Sequence, residues 1–314
     1  MMTHEEKRFV DSLKSIARNQ DIKSYIQNDD NLYRLFLSGA KRFVAGEKRE
    51  DGIERAIQFQ TEGHRVSLEF IGENTMSETE CNRAKNEFLE LMIELGKHLR
   101  HFTISLDLSH IGMMVSDELA ISNLLELAIE AKRYDATIMI SMEESAKTER
   151  ILSIYNHVEE IHSNIGVTLQ VHLKRTEADL LKLVQKQRRI RLVKGAYQED
   201  EGVYTPRSNE LNDRYVKFVE KCQSTNQMLS LATHDVSLLN LLEEKGLLRG
   251  SHVEVEMLDG VQSELLNSLK QRGISTKKYV TYGTEWYLYV VHRIAEHPSN
   301  IYTFISDVIN QKTR

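Results

Sequence analysis

The groups able to do chemistry in this chain recur at intervals, each just after a short apolar run. Arg189-Ile190-Arg191-Leu192-Val193-Lys194-Gly195-Ala196-Tyr197 sets the pattern. Ile190, Leu192 and Val193 make a buried strand with β-branched content. Lys194-Gly195 ends it, leaving charge, bare backbone and an aromatic at one rim of a sheet. Glu73 follows the first run; Asp107 and Ser141 stand near the ends of the second and third. Gln170, His172 and Arg175 mark the fourth, and Thr233-His234-Asp235 the sixth. Glu256 and Asp259 belong to the seventh, and Tyr282-Gly283 closes the eighth. Each alone is an ordinary rim or turn residue. Brought to one rim, they offer guanidinium, carboxylate, imidazole and hydroxyl groups to a single ligand. Beyond the last run, Tyr289, His292, Arg293 and Glu296 share one helical face before His297-Pro298. That face is either plain solvent surface or a cap over the rim, where one guanidinium would grip a substrate carboxylate.

The runs that would position these groups are Val66–Ile71, Phe102–Leu108, Thr137–Met142, Val167–Leu173, Ile190–Lys194, Leu229–Ala232, His252–Met257 and Tyr279–Thr281. Between them lie amphipathic stretches such as Glu78–Leu95, Glu118–Lys132, Glu177–Gln187, Asn209–Cys222, Ser237–Lys245 and Gln262–Arg272. Strand–helix alternation forces parallel pairing through crossovers. Eight repeats fit an α/β fold of the (βα)8 barrel type, whose ligands bind at strand C-termini. An open doubly wound sheet would carry a glycine-rich phosphate loop after its first strand, and Gly72-Glu73-Asn74 is not one. Residues 5 to about 60 read as helices, with Phe9, Leu13, Ile16 and Ala17 on one face, then Leu32, Leu35, Phe36 and Phe43, then Ile53, Ala56 and Ile57. The expected division is residues 1–62 as helices packed on the outside and 63–314 as the barrel.

Bulk properties exclude several classes. A net charge of −6 with no concentrated basic face argues against nucleic acid as a partner. Cys81 and Cys222 are too few for a disulfide framework and read as packing residues in a reducing, cytoplasmic setting. No apolar stretch approaches the roughly 20 residues of a membrane span, so any membrane association would be peripheral. No histidine or cysteine spacing suggests a metal. The basic run Lys186-Gln187-Arg188-Arg189 reads as a solvated helix terminus.

Several of these segments resemble the proline dehydrogenases in order and context: Arg191-Leu-Val-Lys-Gly-Ala-Tyr197, Leu169-Gln170 with Arg175-Thr176-Glu177, Ala232-Thr233-His234, Met257-Leu258 with Gly260, and Tyr282-Gly283-Thr284-Glu285-Trp286-Tyr287. The resemblance covers about residues 60 to 305. It implies a distorted (βα)8 barrel with extra N-terminal helices and a C-terminal helix over the mouth. It also implies FAD as cofactor and oxidation of L-proline to Δ1-pyrroline-5-carboxylate, with electrons leaving to a quinone or other acceptor. By resemblance, Arg191 hydrogen-bonds the flavin at its reactive nitrogen, where a cation stabilises the charge that builds during hydride transfer. Gln170, Val193, Gly195, Thr233 and His234 are the other cofactor contacts. Tyr197, Leu258 and Tyr289 wall the substrate ring. Arg293 is one of two clamping arginines, and Glu73 and Glu296 are the acids that hold the clamp.

The departures concentrate on the substrate side. His292 replaces one of two adjacent family arginines, Asp107 replaces a lysine, and Ser141 replaces an aspartate. Asp235 replaces an asparagine, and Glu256 a glutamine. Each lost charge-assisted contact is worth about 1.5–3 kcal/mol, so a plain amino-acid carboxylate should be held more weakly. L-Proline is the default small-molecule substrate. A related cyclic amine or modified imino acid competes with it. So do a catalytically silent flavin-binding descendant and, against the retained Gln170, Arg191, Thr233 and His234, a flavin-free barrel enzyme such as a lyase.

Overall fold

The computed structural model describes residues 19–197, 199–296 and 300–311, with residues 5, 8, 9, 12, 13 and 15; it does not describe the side chains of residues 20, 23, 27, 292, 296, 303, 310 and 311. Ile16, Ala17, Gln198, His297, Pro298 and the side chains of His292 and Glu296 therefore lie outside the described residues.

Among the described residues, eight parallel strands close in sequence order into one barrel. They are β1 (Arg65–Phe70), β2 (Thr103–Leu106), β3 (Thr137–Ile140), β4 (Ile165–Gln170), β5 (Arg189–Val193), β6 (Leu229–Ala232), β7 (Val253–Leu258) and β8 (Thr276–Tyr282). The ring closes where Ser67 of β1 registers with Tyr279 of β8. Before the barrel come α1 (Gln20–Asn28), α2 (Asp30–Ala40) and α3 (Arg49–Thr61). Between strands run α4 (Glu78–Leu95), α5 (Asp117–Lys132), α6 (Thr148–Glu159), α7 (Thr176–Leu183), α8 (Asn209–Ser224), α9 (Val236–Glu244) and α10 (Ser263–Gln271). After β8 come α11 (Trp286–Glu296) and α12 (Asn300–Gln311). The open-sheet alternative is therefore excluded.

Local chemistry sets the crossovers. Ser116 and Ser208 cap α5 and α8 by accepting from Leu119 N and Leu211 N. On α4, Phe88, Leu91, Met92 and Leu95 fall at helical spacing and are all fully buried. Each such burial contributes about 1.5–3 kcal/mol. They meet the outward positions of the strands, such as Val66 and Leu68, Ile104 and Leu106, Ile190 and Leu192, and Val253 and Val255, in one continuous core. Strand side chains alternate, so the residues between these face the barrel interior. Cys81 and Cys222 are buried and free.

A second apolar cluster lies apart from this shell. Ile26 of α1, Ala40 of α2, Phe43 and Val44 pack with Trp286, Val290, Val291 and Ile294 of α11 and Phe304 of α12. Ile71 after β1 and Leu258 at the end of β7 pack against the same cluster, which places α11 over the C-terminal end of the barrel. By contrast, Ala56 and Phe59 of α3 belong to the barrel core.

The run at 186–189 corrects one expectation. It is not simply solvated: Lys186 and Arg188 both donate to the buried Glu159, at 2.6 and 2.7 Å, and Arg189 points into the barrel toward Glu254 at 2.8 Å. A carboxylate buried on α6 draws these cations inward, because leaving it uncompensated would be costly.

Candidate active site

TIM-barrel interiors are usually filled with branched apolar side chains. This interior is charged. Toward the N-terminal end, the buried carboxylate of Glu254 accepts from Arg189 (2.8 Å), Arg65 (3.1 Å), Lys277 (2.5 Å) and Ser230 (2.5 Å). Lys277 also reaches Thr103 Oγ1 at 3.1 Å. Burial pushes the Glu254 carboxyl up, but Lys277 and Arg189 outweigh it and hold it well below the usual carboxylate range.

One layer higher, Arg191 crosses the interior. Its Nε and Nη2 fork onto Glu256 at 3.0 and 2.7 Å; Nη2 also reaches Ser105 Oγ (2.7 Å) and Ser67 Oγ (3.3 Å). None of these bonds uses Nη1. The guanidinium lies 5.0 Å from the centroid of the Tyr279 ring. Arg191 is thus not a lone cation: Glu256 is its buried counter-ion.

At the C-terminal end, Glu69, Asp107 and Ser141 come together from β1 and the ends of β2 and β3. Tyr279 donates its hydroxyl to Glu69, and the Ser141 side chain favours the charged form of Asp107. Burial raises the Glu69 carboxyl to about 7, against the pull of Tyr279, Arg191 and Arg293. Asp107 is raised well above the usual range, first by burial and then by Glu69. Tyr197 stands in the field of Asp107, and its hydroxyl is raised mainly by burial. Arg293 of α11 lies 5.1 Å from the Tyr289 ring centroid, close enough to Glu69 to oppose its shift. Glu73 lies on the loop after β1, where Glu143 and Glu144 push its carboxyl further up and Lys147 pulls it down, burial being the largest cause.

The residues on β4 to β7 close the opposite side. Gln170 donates to Glu143 O at 2.7 Å. Gly195, after Val193 on β5, has φ +108°, and a Cβ there would overlap the His172 ring. His172 Nε2 and Thr168 Oγ1 are buried with no hydrogen-bond partner among the described residues. Thr233 Oγ1 accepts from Asp235 N (3.2 Å), and His234 Nε2 accepts from Leu258 N (3.0 Å), which leaves the proton on Nδ1. Asp235 caps α9 through Leu238 N (3.1 Å) and binds Lys194. Burial would raise its carboxyl, but the Lys194 and Ser237 hydrogen bonds bring it to about 2. Asp235 is therefore a cap and counter-ion, as asparagine could be a cap, rather than an added pocket charge. Other rim residues are absorbed elsewhere: Arg175 by Asp179 and Glu149, Asp259 by Arg55.

The residues matched by a family model described as "Proline dehydrogenase" run from 53 to 301, which takes in every strand of this barrel. This chain belongs to the proline dehydrogenase family. Proline dehydrogenase 1 of Bacillus subtilis (strain 168) is 31% identical over 265 residues, 83% of this chain and 88% of that protein. The proline dehydrogenase of Deinococcus radiodurans is 28% identical over 269 residues, 83% of this chain and 87% of its own length. Among solved structures, proline utilization A from Bdellovibrio bacteriovorus, inactivated by N-propargylglycine, superposes with a TM-score of 0.77 at 20% identity. The match covers 93% of this chain but 36% of that one, and it speaks for the fold.

The family implies a flavin, and the residues fit one. Gln170, Arg191 and Val193 lie on the neighbouring strands β4 and β5, Gly195 follows β5, and Thr233 and His234 follow β6, so the set runs from mid-barrel to the C-terminal rim. The bare backbone at Gly195 and the unpartnered His172 and Thr168 atoms leave hydrogen-bonding capacity on that side. Sequence reasoning did not single out Glu69 and Tyr279, which belong to the site, nor Ser67 and Ser105, which bond Arg191. The signal was there: a polar side chain at every second position of a strand otherwise made of Val, Leu and Ile must face an interior.

Proposed function

We propose that this chain is an FAD-dependent dehydrogenase that oxidises L-proline to Δ1-pyrroline-5-carboxylate and passes the electrons to a quinone or other acceptor. One observation carries the reading: the Arg191–Tyr197 segment runs from mid-barrel to the C-terminal rim, facing Glu69 and Asp107, in a family member matched over 83% of its length. In the reaction the ring C–H bond beside nitrogen breaks, its electron pair and proton leave together, and the nitrogen lone pair forms the C=N bond. A bound flavin supplies the two-electron acceptor. Arg293 clamps the substrate carboxylate, Tyr197, Leu258 and Tyr289 hold the ring, and α11 excludes water. Asp107 and Glu69 stand at the mouth as hydrogen-bonding carboxyls for the substrate, and the substrate nitrogen enters the step with its lone pair free. Val193, Gly195, Thr233 and His234 position the cofactor.

The paired carboxylates at the mouth favour a second reading, a related cyclic amine with less negative charge than proline. Purified protein should show a flavin absorbance spectrum that bleaches anaerobically on adding L-proline. Bleaching by pyrrolidine but not by L-proline would favour the second reading. A colourless protein that takes up no FAD would overturn both.

A further inference from the structure

The Arg191–Glu256 pair is the charged centre of the barrel interior nearest the cofactor residues. Both side chains are almost fully buried, at 4% and 1% exposure, and their fork is bidentate at 2.7 and 3.0 Å. The remaining partners in that layer, Ser67 and Ser105, are uncharged. The two buried groups together present no net charge where an isolated guanidinium would present a full positive one. On the mouth side, Glu69 and Asp107 add carboxyls, and the one cation in the field of Glu69 besides Arg191 is Arg293 of α11, among the described residues. Interactions between charges in such a dry interior are weakly screened.

We propose that Glu256 is a tuning residue that acts through Arg191: by neutralising the guanidinium it lowers the reduction potential of the bound flavin. The inference rests on the flavin reading above. Transfer of an electron pair with one proton from substrate to cofactor leaves one more negative charge at the ring system, while the substrate nitrogen becomes an iminium that releases product. A lone Arg191 would stabilise that added charge. The Arg191–Glu256 pair stabilises it less, so this chain is a weaker oxidant toward substrate and a stronger donor toward its acceptor. The role is distinct from holding the arginine in place, which Ser105 also does at 2.7 Å.

The test is the midpoint potential of the purified flavoprotein, titrated at equilibrium against a reference dye. Glu256→Gln keeps the shape and one acceptor for the guanidinium but removes the charge. It should favour the reduced form at least tenfold, a rise of about 30 mV for a two-electron couple. Ser105→Ala removes a neutral bond to the same Nη2 and should shift the ratio less than threefold. Glu256→Asp, whose shorter arm draws the carboxylate back toward β7, should give a smaller rise in the same direction and serves if Glu256→Gln loads no flavin. An unchanged or lowered potential in Glu256→Gln would overturn the proposal, as would a Ser105→Ala shift of equal size. Loss of flavin from both Glu256 variants while the parent stays yellow would make Glu256 a structural anchor and overturn it too. A parent protein without flavin would instead remove the functional reading on which it rests.

Discussion

The two ends of one barrel interior handle buried charge in opposite ways. At the N-terminal end, Glu254 is surrounded by Arg65, Arg189, Lys277 and Ser230, and every contact is a charge-assisted or neutral hydrogen bond. At the C-terminal end, Glu69 and Asp107 face each other's fields, and the nearby guanidinium of Arg191 is already taken by Glu256. The first arrangement lowers a carboxyl pKa and the second raises two. A group held in its charged form by partners stabilises the fold. Groups kept close in spite of like charge leave stabilisation unused, which is how a binding site differs from a core. The division of stability at one rim and chemistry at the other follows from the barrel itself, since loops after the strands converge only at the C-terminal end.

The difference can be broken from either side. The largest effect should come from Glu254→Ala, which strands three cations in the closed end. We expect a loss of about 3–5 kcal/mol in urea unfolding, with the flavin spectrum of the surviving folded protein unchanged. A loss below 1 kcal/mol would mean that the network is only decorative. At the other end, Asp107→Lys should leave stability nearly unchanged while tightening L-proline by about tenfold, in line with about 1.5–3 kcal/mol for a charge-assisted contact. An unchanged KM would place Asp107 away from the carboxylate.

Acidity sharpens the same contrast. Because the folded Glu69 carboxyl is raised to about 7 from an ordinary value near 4.5, its stabilising contribution is complete below 4.5 and lost as pH rises through 7. Glu69→Gln should therefore stabilise the protein on the order of 1 kcal/mol at pH 8 and hardly at all at pH 4. Glu254 has the reverse sign: its contribution is present above pH 4.5 and lost only in stronger acid. Unfolding curves of the two glutamine variants at pH 4 and pH 8 test both signs. The smallest effect belongs to the exposed bidentate pair of Arg42 and Asp307, at 2.6 and 2.9 Å. Asp307→Asn should cost less than about 1 kcal/mol, and less again in high salt.

Much of the fold was legible because its signals are local. The α4 boundaries Glu78–Leu95 were readable to the residue, and the other amphipathic stretches to within a few positions, save α7, which ends at Leu183 instead of continuing to Gln187. The helix α6, between β3 and β4, was missed although Ile151, Ile154, Tyr155 and Val158 are buried at helical spacing. In the site, the Arg191 segment and the rim residues of β4 and β6 were recognisable from the residue types themselves. Glu69 and Tyr279 were not, because each was read as part of an apolar run and their hydrogen bond spans 210 positions.

Residue order alone determined the strand–helix rhythm, the closure into eight repeats and the face each strand shows its helices, since period and capping act within a few neighbours. Only the closed ring decided which charges meet. Arg191 finds Glu256 65 residues away and Ser67 124 residues away, and Coulomb energy depends on distance through space, not along the chain. Whether an inward side chain is a salt-bridged strut or an idle carboxyl at a mouth is settled by what stands opposite.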